Sequence, residues 1–197
     1  IEKYPQQVFD VMRYLTETFP DDHPFRHLKA MPSASNWAVP WLLSSSMGSA
    51  SIAARLGLPL SFAHFITQGG GPDNVKWYRD NFEPSEWFDK PRVNIGISAI
   101  TADTAERAHD LALCRHVMRL MRNKGQEMKG VPSVDEIKAM NFTGADAEFL
   151  EQQREKSVEG DPDTVKAKIE DLAEEYETDD VIVLTITSDY AARQRSY

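Results

Sequence analysis

Residues 39–66 read VPWLLSSSMGSASIAARLGLPLSFAHFI, and the punctuation of this stretch decides the fold. The apolar run Val39-Pro40-Trp41-Leu42-Leu43 predicts a buried strand. Small polar residues, Ser44-Ser45-Ser46-Met47-Gly48-Ser49, then break it. A helix follows over residues 50–56, with small side chains on one side, and Gly57 ends it. Residues 58–65, LPLSFAHF, predict a second strand. Strand, helix and strand in so short a span make a βαβ unit, whose strands are parallel and whose crossover is right-handed.

The chemistry of this unit lies in its first turn. Ser45, Ser46 and Ser49 stand where a strand ends and a helix begins. The first helical N–H groups have no intrahelical partner, and the helix dipole favours negative charge there. Serine hydroxyls add donors without bulk, and Gly48 leaves room for close approach. Such a corner can seat a phosphate. It can equally be a serine N-cap in a solvated loop. The chain has neither a P-loop lysine nor a GxGxxG run in this turn, so neither nucleotide fingerprint is present.

A chain of 197 residues builds one sizeable core, normally as one domain. Net charge of −9 argues against a general binder of nucleic acid or anionic membranes. The sequence shows neither an apolar run of bilayer length nor a signal peptide. A single cysteine, Cys114, excludes an internal disulfide and fits a cytoplasmic protein. Cys114 falls in a helical pattern and reads as a core residue. Starting at Ile1 and stopping at Tyr197, both inside helical patterns, the chain reads as a piece of a longer protein.

Working outward, residues 5–19 predict an amphipathic helix with Val8, Met12, Leu15 and Phe19 on one face. Asp22-His23 offers two ligands, fewer than a metal needs, and no metal site is read. His27-Leu28-Lys29-Ala30-Met31 reads as a short strand, and Ser33-Ala34-Ser35-Asn36 as a turn. After Phe65, Thr67-Gln68-Gly69-Gly70-Gly71 is a loop following a strand, either a lid or a plain flexible turn. A helix is predicted over 73–82 and a strand over 91–101, with Val93, Ile95 and Ile97 on one face. Asp103 or Thr101 should cap the next helix, 104–124, whose buried stripe is Ala108, Leu111, Ala112, Met118 and Met121. Residues 131–158 read as loop and short outer helices, with the charge run 148–156 a solvated face. Asp161 and Pro162 suit the N-cap and first position of a helix. Residues 181–187, VIVLTIT, predict a strand covered on both faces, and 190–197 a last helix.

Four strands each followed by helix describe α/β with a parallel sheet, either doubly wound or a (β/α)8 barrel. At this point four stretches resemble one family. The run WLLSSSMGSASIAARLGLPLSFAHF is similar to the strand, turn and helix of the luciferase-like flavin-dependent monooxygenases, the group of bacterial luciferase. Residues 78–85, YRDNFEPS, and 98–104, SAITADT, resemble its helix with Pro-Ser turn and its next strand end. Residues 160–165, GDPDTV, with VIVLTIT and the closing RQRSY resemble its last helix, strand and helix.

The resemblance implies a TIM-type (β/α)8 barrel, of which residues 1–197 supply roughly the C-terminal half as a single domain. It implies FMN at the C-terminal face, with reduced flavin, supplied by a reductase, reacting with oxygen and a small organic substrate. A deazaflavin is the alternative cofactor. Ser45, Ser46, Gly48 and Ser49 match the flavin-phosphate turn; Phe62 and His64 match positions near the flavin ring or substrate, with His64 the catalytic candidate. Members of this kind are expected as homodimers. The competing expectation is a non-catalytic flavin-binding or partner subunit.

Overall fold

The computed structural model describes residues 3–32, 36–67 and 69–197. The turn expected at residues 33–36 falls mostly outside these, as does Gln68 of the expected loop. The chain divides into two compact units, Ile1–Ser61 with Asp73–Val93, and Phe62–Pro72 with Asn94–Tyr197.

The first unit opens with α1 (Tyr4–Thr16), started by Pro5 in its first turn and closed by Glu17 in the left-handed region. Then come β1 (Leu42–Ser44), α2 (Met47–Leu56), the start of β2 (Leu60–Ala63) and, from Asp73 on, α3 (Gly71–Asp80). β1 lies beside β2, and Leu42 N–H donates to the Pro59 carbonyl at 2.9 Å. Pro40 and Pro59 have no N–H to give, and each strand begins only after its proline. Met12, Leu56 and Leu58 form the core, flanked by Trp37, Trp87 and Phe88. Gly57 closes α2 at φ 61°, and a side chain there would also run into the Glu83 carbonyl and Ser85. Tyr78 is fully buried and donates to the Leu58 carbonyl at 2.9 Å. The strand expected at residues 27–31 does not form. Those residues make turns and irregular chain, with Leu28 and Met31 exposed, so no apolar face holds them in a sheet.

The second unit is built on β3 (Val93–Thr101), which runs parallel to β4 (Val158–Gly160) and β5 (Val181–Leu184). In register, Ile95 faces Val181 and Ala99 faces Val158. Between them lie α4 (Ala105–Asn123), α5 (Val134–Ala139), α6 (Ala145–Glu155) and α7 (Pro162–Glu175); α8 (Tyr190–Ser196) follows β5. The cap of α4 is neither Asp103 nor Thr101 but Thr104, whose hydroxyl accepts from Arg107 N–H at 3.2 Å. Ala108, Leu111 and Ala112 are buried as expected, but further along α4 the buried face runs through Cys114, Val117 and Leu120, while Met118 and Met121 are only half-buried. Helical period is preserved, but the stripe is turned, because α5 and α6 cover Cys114, Val117 and Leu120. Asp161 caps α7, accepting from Thr164 N–H at 2.8 Å, and Pro162 stands at its start. β4 has no counterpart among the expected strands. β5 is shorter than expected and is not covered on both faces, since Ile182 is 52% exposed. None of the described helices is long and apolar enough to cross a membrane.

Candidate functional site

The expected phosphate corner is a closed hydroxyl cluster in the first unit. Ser46 has extended backbone and caps α2, accepting from Ser49 N–H at 3.5 Å. Its hydroxyl also lies 3.0 Å from that of Ser49. Buried Ser44 donates to Ser49 Oγ, or to the Ser46 carbonyl, each at 3.0 Å. Ser45 is half-buried, while Ser46, Met47 and Gly48 are exposed. A Cβ at Gly48 would meet only Ser46 Oγ, at 3.9 Å. The amides of Met47 and Gly48 have no acceptor among the described residues. An oxyanion therefore has open donors and open approach in this corner, so these residues fit a phosphate group.

His64 and Phe62 belong to the second unit, at and just past the end of β2. His64 is half-buried and its Nδ1 lies 3.0 Å from the Tyr176 hydroxyl, with the two rings edge to face. Burial, and then the nearby Arg115 guanidinium, lower its pKa below the ordinary histidine value. Burial also pushes the Tyr176 hydroxyl up, with Glu175 adding to the effect. Phe62 is fully buried against the Tyr176 ring, centroids 5.6 Å apart. It backs the His64–Tyr176 pair and shows no open face. Gly71 packs so closely on this pair that a Cβ would collide with the Tyr176 hydroxyl and reach Phe62 at 2.6 Å.

Two further groupings in this unit had no place in the sequence reading. Arg115, on α4, donates to the Phe65 carbonyl at 2.6 Å, and Arg119 donates to that of Ile66 at 3.0 Å. With Arg122 they line a cleft of about 410 Å³ at the ends of β2 and β5. Deeper in, buried Glu159 takes His109 Nδ1 at 2.9 Å and His116 Nε2 at 3.0 Å, and it also accepts from the Ser157 hydroxyl. Burial raises the Glu159 pKa, but the three donors together outweigh it and bring the carboxyl down to about 2. His116 is itself buried, and its Nδ1 has no partner among the described residues. The arginine spacing of i, i+4 and i+7 was visible in the sequence as one helix face. The Glu159 cluster had no comparable local signal.

No protein-family profile matches the chain. A Bacillus subtilis (strain 168) relative, the uncharacterized protein YceB, is 36% identical over 197 residues, covering all of this chain and 59% of YceB. An Escherichia coli (strain K12) protein named luciferase-like monooxygenase is 27% identical, again over the whole of this chain and 57% of its own length. Among solved structures, apo-MsnO8 superposes with a TM-score of 0.80 at 26% identity, over 98% of this chain and 57% of that one. The fold is thus the parallel α/β fold of these proteins. The chain is similar along its whole length to proteins named luciferase-like monooxygenase. It spans 57–59% of the length of these relatives.

Proposed function

We propose that this chain is the C-terminal half of a (β/α)8 barrel monooxygenase that uses reduced FMN and dioxygen on a small organic substrate. Support for the half-barrel comes from the fraction of each relative that the chain spans, and from the exposed Leu43 on β1 and Ile182 on β5. The observation that carries the cofactor assignment is the serine corner, with its open amides and unobstructed Gly48. Ser46 and Ser49 hold the FMN phosphate there, Ser45 borders it, and the amides of Met47 and Gly48 complete the seat. Reduced flavin, when bound, supplies the electrons that activate oxygen.

His64 is the proposed proton-handling residue. Its lowered pKa keeps the imidazole neutral at neutral pH. With the Tyr176 hydroxyl donating to Nδ1, the imidazole proton sits on Nε2 and can be given to a developing oxyanion. Phe62 contributes by packing behind this pair rather than by touching the flavin ring. A separate reductase supplies the reduced cofactor, and the assembled protein is a cytoplasmic homodimer.

The test is oxygen uptake by the full-length protein with reduced FMN and small organic candidates, alongside FMN titration. Ser46→Ala is expected to weaken FMN binding by about 1–3 kcal/mol, the range for losing a hydrogen bond to a charged group. Unchanged affinity removes Ser46 from the site. Uptake that requires a deazaflavin instead of FMN transfers the reading to that cofactor.

A further inference from the structure

Arg115, Arg119 and Arg122 share one face of α4, and all three border the cleft of about 410 Å³. None of them has a carboxylate within 4.0 Å among the described residues, whereas Arg107 pairs with Asp189 and Arg195 with Asp103. A chain of net charge −9 has acids to spare, yet places none in ion-pair contact with these three among the described residues; Glu159 offsets part of the charge on Arg115 from beyond that distance. Arg115 and Arg119 each give a bond to a backbone carbonyl, which fixes them without cancelling their charge. A guanidinium carries five N–H donors, so most remain free. Three cations within two helical turns repel one another. Burial first, and then Arg119 and Arg122, bring the Arg115 pKa down to about 10.

Apart from Asn123, the rest of the cleft is apolar, walled by Phe65, Ile66, Met118, Leu184 and Ile186. Its size lies in the range of small-molecule sites, about 300–1,000 Å³. It opens beyond the carboxyl ends of parallel strands, where α/β sheets bind ligands. Free donors for an oxyanion beside an apolar wall describe an amphiphilic ligand.

We propose that this cleft seats an organic carboxylate, its head on Arg119 and Arg122 and its hydrocarbon body on the Phe65, Met118 and Ile186 side chains. Planar guanidinium groups meet carboxylates through paired N–H donors, which gives direction as well as strength. Arg115, tied to the Phe65 carbonyl, positions the strand end that carries His64. This names a substrate class for the monooxygenase reading, and rests on that reading only for the word substrate.

The experiment uses the full-length protein without flavin, so that anion binding and flavin turnover succeed or fail separately. Linear carboxylates from butyrate to decanoate are titrated calorimetrically at low ionic strength. Hexanol and inorganic phosphate serve as the uncharged and the body-less probes. Saturable carboxylate binding is expected, tighter than either control, and weaker by about tenfold or more in R119Q/R122Q. The His64 imidazole, followed by NMR, is expected to titrate at higher pH once carboxylate is bound, because the anion offsets the field of the arginines. That shift should vanish in the double variant. If the double variant fails to fold, R122Q alone, at an exposed position, supplies the comparison. The proposal is overturned if no carboxylate binds, if hexanol binds as well as hexanoate, or if R122Q leaves affinity unchanged. It is also overturned if phosphate binds more tightly than every carboxylate, or if the arginine variants lose FMN affinity instead.

Discussion

The hydroxyl corner of the first unit and the Glu159 centre of the second solve the same problem in opposite ways. Both must satisfy polar groups at the junction of a strand and a helix. The corner uses neutral serines a few residues apart, at the surface, bonding one another and the start of α2. The Glu159 centre uses a buried carboxylate whose two histidine partners come from 43 and 50 residues away, beside the neighbouring Ser157 hydroxyl. Neutral, exposed bonds exchange readily for bonds to an incoming anion at little cost. A buried carboxylate among fixed donors cannot exchange them, because a buried charge left without partners is expensive. The first arrangement suits a site that fills and empties; the second suits a structural anchor that holds β4 against α4.

That contrast is sharpened first at Glu159. Glu159→Gln removes the charge but leaves His109 and His116 in place. Loss of one partner of a buried pair should cost about 3–5 kcal/mol, read as a lower urea midpoint. The pH dependence follows from the same group. Its folded pKa of about 2 lies below the ordinary value of 4.5, so its stabilisation is fully present above pH 4.5. It is lost as pH falls through 4.5 towards 2, and amounts to about 3 kcal/mol. Urea titrations at pH 6 and pH 3 should show a larger drop in the parent than in Glu159→Gln, because Glu136 and Asp161, also held below their ordinary values, titrate in both. An equal drop in both would mean that Glu159 is not the titrating anchor.

Gly71→Ala gives an intermediate effect. The added methyl has to displace the Tyr176 hydroxyl, at an expected cost of about 1–3 kcal/mol for overpacking. Tyr176→Phe in the same chain should restore part of that stability in thermal unfolding, because it removes the atom in collision. Absence of rescue would locate the strain in Phe62. The smallest effect belongs to the corner. Ser46→Ala loses an N-cap worth about 1 kcal/mol and should leave the acid dependence of stability unaltered. A loss as large as that of Glu159→Gln would erase the distinction between the two regions.

The features read correctly from sequence are those whose physics is local. The Asp161-Pro162 start and the Gly57 stop each depend on neighbours within one helical turn, whereas the start of α2 lies three residues before the expected one. The features missed depend on residues far apart in the chain. His64 and Tyr176 are separated by 112 positions, and no periodicity announces the bond between them. β4 is three residues long, too short for alternation to show, and it exists because β3 offers it a partner. The failed strand at residues 27–31 is the reverse case: an apolar run without a sheet to join. The tilt of the buried stripe on α4 was set by α5 and α6, which its own sequence does not encode.

The interleaving of the two units along the chain imposes an order of events during synthesis. Everything the first unit needs has been made once Val93 emerges. The second must hold β3 half-finished until Thr185 arrives to donate to the Ala99 carbonyl, 86 residues later. At the pace of a ribosome, about 5–20 residues per second, that is a wait of several seconds with a strand edge unpaired.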